Sequence, residues 1–212
     1  MKTAATGTRD RILDASLALF NDDGIAAVST HRIAAELGIS PGNLNYHFKT
    51  KEQIVAWLFR RFESRVTPFV DAATEVSALD DLWLLLHMTF EAVSDYRFVF
   101  RDIGTLLGTF PEVGARAQAL TERMLVAAQA TCNALASAGV IEATGEDVEV
   151  LALQLVFTTT CWFTFKRLVP RHGGGRHADA ALAAYYTLTI LSPYVVGDAR
   201  DYVNYLRAKY LR

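Results

Sequence analysis

The residues best suited to chemistry lie in one run, THRIAAELGISPGNLNYHFKTK, from Thr30 to Lys51. Its outward-directed candidates are Thr30, His31, Arg32, Ser40, Asn43, Asn45, Tyr46, His47, Lys49 and Lys51. These side chains donate and accept hydrogen bonds, and several carry positive charge. Asn pairs with adenine in bidentate fashion, and Arg and Lys meet backbone phosphates. Between residues 29 and 51 the cations Arg32, Lys49 and Lys51 stand against a single acid, Glu36. The chemistry on offer is recognition of nucleic acid rather than the making of bonds. Patterns for a serine nucleophile, a zinc-bound water, a phosphate loop or a dinucleotide are absent. The five histidines show no metal-ligand spacing with Cys132 and Cys161. No enzyme activity, metal or cofactor is expected.

To present these residues, two short helices must meet at a steep angle across a tight turn. Ser29 suits the N-cap of a first helix ending near Leu37, and Gly38 suits the left-handed turn that follows. Ser40 caps the second helix, with Pro41 at its first position, where a missing N–H costs nothing. Ala34 gives the close approach, and Ile33, Leu37, Ile39 and Leu44 face inward. Pro41 and Gly42 add little bulk, so the helix can approach a groove floor. This is the helix-turn-helix pattern, whose second helix enters the major groove of DNA. Each contact also has a plainer reading. Ser40 and Asn43 serve helix structure, His47 packs within the module, and Lys49 is a solvated charge.

The rest of the chain reads as helix. Residues 9–22 form one, closed by Gly24, and Thr50 with Gln53 opens a long helix by a capping box. Pro68 marks a kink or end near residue 67. Helices follow at about 79–94 and 96–108, then from Thr109 to Gly139, from Thr144 and Asp147 to about 167, and from 177 to 192. Residues 170–176, PRHGGGR, read as a loop, and a short amphipathic tail ends the chain. Apolar residues make up 51% of 212, which supports a real core. Residues 1–65 hold nine Lys and Arg against seven acids, whereas the remainder holds twelve against sixteen. No apolar signal core opens the chain, and the two distant cysteines suit a reducing cytoplasm. The uncharged stretches 150–165 and 180–197 are read as helices buried on most faces rather than as membrane spans.

The segments RILDASLALFNDDGIAAVST and HRIAAELGISPGNLNYHFKTKEQIV together resemble the N-terminal domain of the TetR family, across about residues 8–62. The resemblance implies an all-α fold: a three-helix helix-turn-helix domain over 1–52, a linking helix at 51–67, and a helical bundle of about six helices over 68–212. It implies a homodimer through helices 147–167 and 177–192, binding a palindromic operator with half-sites about 34–36 Å apart. It implies a transcriptional regulator, of the repressor kind, released by a small hydrophobic or aromatic effector. The alternative is a module that keeps the fold and binds protein instead of DNA. One position departs from the family pattern: Asn45 stands where an aromatic is usual. Candidates for an effector pocket are Trp83, His87, Phe90, Phe98, Met124, Gln154, Thr158, Cys161, Trp162 and Phe165, which at helical spacing read equally as core. The segment YRFVFRDIGTLL, residues 96–107, resembles a subgroup of the same family's C-terminal domains, and its Arg97, Arg101 and Asp102 suit structural ion pairs.

Overall fold

The computed structural model describes residues 7–169 and 176–210. The expected loop at 170–176 falls almost wholly outside them. Among the described residues the chain is helical: α1 (Thr8–Asp23), α2 (Thr30–Glu36), α3 (Pro41–His47), α4 (Lys51–Ala72), α5 (Leu79–Asp95), α6 (Phe98–Arg101), α7 (Ile103–Thr109), α8 (Pro111–Ser137), α9 (Gly145–Lys166), α10 (Arg176–Thr189) and α11 (Ala199–Tyr210). The sole β pairing among them is an isolated bridge between Ile141 and Val195. The all-α expectation is met.

The helices gather into two compact units. One holds the chain up to Glu63 together with Tyr96–Arg116; the other holds Ser64–Asp95 and Ala117–Arg212. In the first unit, Ile12, Phe20, Ile33, Leu44, Phe48 and Phe62 are at most 2% exposed. The returning segment packs Phe98 against Phe20, with ring centroids 5.8 Å apart, and places Tyr96 and Phe100 each 5.7 Å from Phe62. It also finishes the end of α1, whose last carbonyls have no partner within the helix. Arg101 donates to the carbonyls of Asn21 (2.6 Å) and Phe20 (2.5 Å). Its other donors grip Asp102 at 2.8 and 2.9 Å, and Asp102 accepts the Ile25 N–H at 2.8 Å. The hydrogen bond to Asp102 raises the Arg101 guanidinium pKa further above its ordinary value. Gly24 lies beneath this knot at φ 94°, and a Cβ there would sit 3.4 Å from the Asp102 carboxylate.

Three local expectations are corrected. The helix expected over 96–108 is broken at Asp102, because its carboxylate turns to Arg101 and Ile25. Pro68 neither ends nor bounds α4, which continues to Ala72. The carbonyl that Pro68 deprives of an N–H belongs to Ser64, four residues earlier, and both residues are exposed. At the start of α4, Thr50 does accept from the Gln53 N–H (3.3 Å), but the Gln53 side chain reaches back to Lys49 N (2.8 Å) rather than to Thr50.

In the second unit α5 lies along α10, where Ala180, Ala183 and Ala184 are fully buried and permit close approach. Leu82, Phe90, Leu151, Leu155 and Leu188 fill the core. Helix α9 starts where Thr144 and Asp147 were expected to open it, and the two form a capping box: Asp147 N–H donates to Thr144 Oγ1 (3.3 Å), and Thr144 N–H donates to the Asp147 carboxylate (2.8 Å). Hydrogen bonds from Thr144, with a smaller one from the Tyr194 hydroxyl, hold the Asp147 carboxyl below its usual pKa. Helix α9 is long and apolar enough to cross a membrane by length and composition. One of its faces, with Leu151, Ala152 and Leu155, is buried; the other exposes Val150, Leu153, Phe157 (64%) and Phe165, and Leu168 just past its end is also exposed.

Candidate nucleic-acid interface and effector cavity

The turn between α2 and α3 is set by backbone geometry. Gly38 adopts φ 63°, which favours glycine. Its N–H donates to the Ala35 carbonyl (3.1 Å), and the next N–H, of Ile39, donates to the Ala34 carbonyl (3.0 Å). That pair of bonds is a Schellman ending. Ser29 accepts from Arg32 N–H (3.2 Å) and Ser40 from Asn43 N–H (3.1 Å), so both serines cap their helices. Ile33, Ala34 and Leu44 are buried, whereas Leu37 and Ile39 are half-buried at the rim.

This geometry gathers Thr30, His31, Pro41, Gly42, Asn45 and Lys49 around one open hollow, floored by Leu44 and Phe48. Gly42 leaves space here: a Cβ on it would touch nothing closer than Ser40 Oγ at 3.9 Å. Asn43 is exposed beside the hollow. Tyr46 projects from α3 at 79% exposure, edge-on to the half-buried His47 with ring centroids 5.2 Å apart. Lys49 is exposed. Arg32 pairs with Asp23 at 2.6 Å across a partly exposed surface, a contact worth under about 1 kcal/mol and easily exchanged. Lys51 behaves differently. Its ammonium donates to the Ile25 carbonyl, and burial lowers its pKa, so it staples α4 to the loop after α1.

The candidate effector residues separate. A cavity of about 70 Å³ in the second unit is walled by Leu82, Leu85, Leu86, Phe69, Val70 and Met124, with Thr89, Thr131 and Thr159 among the rest. Of the ten residues expected from sequence, Met124 alone lines it. The three threonine hydroxyls donate to the carbonyls of Leu85 (2.8 Å), Ala73 (2.8 Å) and Leu155 (2.8 Å). The cavity wall therefore offers methyl groups and hardly any free donor. Trp83 stacks on His87 (5.1 Å), and His87 Nε2 lies 3.4 Å from Glu91. Phe90 meets Phe163 edge-on (6.1 Å), and Trp162 leans on Tyr186 (5.3 Å). Gln154 and Phe165 are exposed, and Thr158 and Cys161 are half-exposed. Phe98 belongs to the first unit, against Phe20. The leucine wall went unseen in the sequence because a leucine facing a void and one facing core have the same pattern.

Comparison with known proteins bears on both regions. A family model described as bacterial regulatory proteins of the tetR family matches residues 12–64, and one described as bacterial transcriptional repressor matches residues 61–203. A TetR-family transcriptional regulator from Marinobacter aquaeolei VT8 is similar over 97% of this chain and 99% of its own, with 34% identity and a TM-score of 0.85. The HTH-type transcriptional repressor KstR2 of Mycolicibacterium smegmatis is 32% identical over 115 residues, 49% of this chain and 53% of that protein. The chain thus spans about half the length of that relative, and about a third of the Staphylococcus aureus regulators it also matches. SmeT, the repressor of the Stenotrophomonas maltophilia multidrug efflux pump SmeDEF, solved with triclosan, shares the fold at 22% identity over 92% of this chain and 94% of its own, with a TM-score of 0.60.

Proposed function

Because the chain belongs to the TetR family of bacterial regulatory proteins, we propose that it is a cytoplasmic, dimeric repressor that reads a palindromic operator and lets go when a small apolar effector binds. The observation that carries the DNA-reading part is the hollow beside α3, where six of the twelve residues expected to touch DNA meet on one surface. Asn43 and Asn45 reach base edges, Asn45 doing so where the family has an aromatic. Tyr46, Lys49 and Arg32 meet the backbone, and Ser40 brings the free N–H groups of the helix start to a phosphate. His47 supports Tyr46, and Lys51 acts through the loop it holds.

Functionally the head is residues 1–52, joined by the helix at 51–67 to an effector and dimerisation part over 68–212. Dimerisation uses the unpartnered apolar stripe of α9, Val150, Leu153, Phe157 and Phe165, with α10 beside it. The effector takes the apolar cavity, and the threonines spent on backbone carbonyls select for a hydrophobic body. Such a ligand shifts the operator equilibrium only by favouring one arrangement of the dimer.

The test is selection of bound duplexes from a random pool at two salt concentrations. An enriched palindrome, with affinity falling steeply in salt, supports a dimeric sequence reader; no enrichment at either salt removes the reading. For the effector, triclosan and an apolar dye serve as probes. A probe that raises the melting temperature while leaving operator affinity unchanged ends the release model.

A further inference from the structure

Sequence reasoning passed over the start of α1. Arg9 there lies with its guanidinium carbon 4.0 Å from the centroid of the Trp57 ring and 5.1 Å from that of Phe48. Arg60 approaches the same indole at 5.5 Å. Both cations therefore sit within about 10 Å of one another, one Debye length at moderate salt. Stacking on an indole contributes roughly 0.5–1 kcal/mol at an exposed site and orients a guanidinium, but it leaves the charge uncompensated.

Five acids of the same unit are committed to other arginines. Asp10 and Asp14 pair with Arg61 at 2.7 and 2.9 Å, Asp23 with Arg32, Asp22 with Arg97, and Glu63 with Arg116. Among the described residues none of the ion pairs involves Arg9 or Arg60. The pair is also next to the reading surface. Phe48 is the C-cap of α3 and floors the hollow, and Lys49 follows it. Two oriented, unneutralised guanidiniums beside a recognition helix form a place for an anion.

We propose that Arg9 and Arg60, held against Trp57, form a phosphate clamp on the operator backbone flanking the segment read by α3. The clamp rests on the DNA-reading function and adds contacts outside the helix-turn-helix. It fixes register without reading sequence, since phosphates carry none directly. Arg9, bracketed by two rings, is the better oriented of the two and carries more of the effect.

The experiment uses the full chain and measures binding by anisotropy from 50 to 200 mM salt, on the selected palindrome and on an unrelated duplex. Arg9→Gln lowers the slope of log affinity against log salt by about 1.8, one counterion-releasing contact in each of the dimer's two heads, and adding Arg60→Gln lowers it further by a smaller amount. Both duplexes weaken by similar factors, so their affinity ratio holds. Arg9→Lys keeps the charge and retains the slope. Slopes unchanged in the double variant would overturn the clamp, as would equal loss in the Lys and Gln variants, which would assign Arg9 to ring packing alone. Weakening confined to the palindrome would also overturn it. Loss of salt-dependent binding by the unaltered protein would instead remove the DNA-reading function itself.

Discussion

The two compact units are held together by different means. The first is stitched by polar contacts at named points: serine caps on α2 and α3, the Lys51 staple on Ile25, and Arg101 with Asp102 closing the end of α1. The second rests on apolar burial along α5, α9 and α10, with an apolar face of α9 left bare. Polar stitches are directional and fix a surface to within a hydrogen bond's tolerance, as a base-reading helix needs. Apolar packing is non-directional and leaves room for a cavity and for a self-complementary face. Rigidity belongs to the first unit and adaptability to the second.

The comparison breaks most readily at the bare face. Phe157→Glu on α9 yields a monomer by sedimentation equilibrium and weakens operator binding by about two to four orders of magnitude, the avidity of two linked heads. A variant that stays dimeric would place the interface elsewhere. Next is the principal stitch of the first unit. Arg101 and Asp102 side chains are 11% and 15% exposed, so Arg101→Ala leaves a half-buried carboxylate without its counter-charge and takes one donor from each of two carbonyls. The expected cost is about 3 kcal/mol, read from urea midpoints and from lost hydrogen-exchange protection in α1. Arg32→Ala, at a surface pair, changes stability by less than about 1 kcal/mol and serves as the contrast. Ser40→Ala removes one cap at about 1 kcal/mol, with the exchange change confined to α3. The smallest effect is a chemical reading of the second unit. Burial pushes the Cys132 thiol up to about 11, leaving about one part in ten thousand as thiolate at pH 7. Ellman's reagent then reaches Cys132 only on unfolding.

The same division explains what was legible in the sequence. Ser29, Gly38, Ser40 and Pro41 act on their own neighbours, so the reading helices were placed to within a residue or two from local signals. The start of α9 at Thr144 and Asp147 was legible for the same reason. Arg101 was not: its partners at Phe20 and Asn21 are about eighty residues away, and nothing in YRFVFRD names them. Helix α4 runs past Pro68 with Pro68 and Ser64 both exposed, and only the fold reveals that exposure. The cavity wall of Leu82, Leu85 and Leu86 was hidden because which flank of α5 faces the void depends on how neighbouring helices rotate against it. Gln154 and Phe165 were assigned to a pocket by helical spacing, which cannot distinguish an inward stripe from an exposed one.

The first unit is not continuous in the chain, and that sets a schedule for its synthesis. Thirty-two residues, Ser64–Asp95, intervene between its two parts. A ribosome that has reached Glu63 has made all the reading residues but not the arginine that closes α1. At about 5–20 residues per second, roughly 2–8 s separate Glu63 from Asp102. During that interval the newborn head carries an open carbonyl at Asn21 and a bare Ile25 N–H. A fragment cut at residue 63 would be held at that unfinished stage, and a translational pause in the intervening stretch would prolong it.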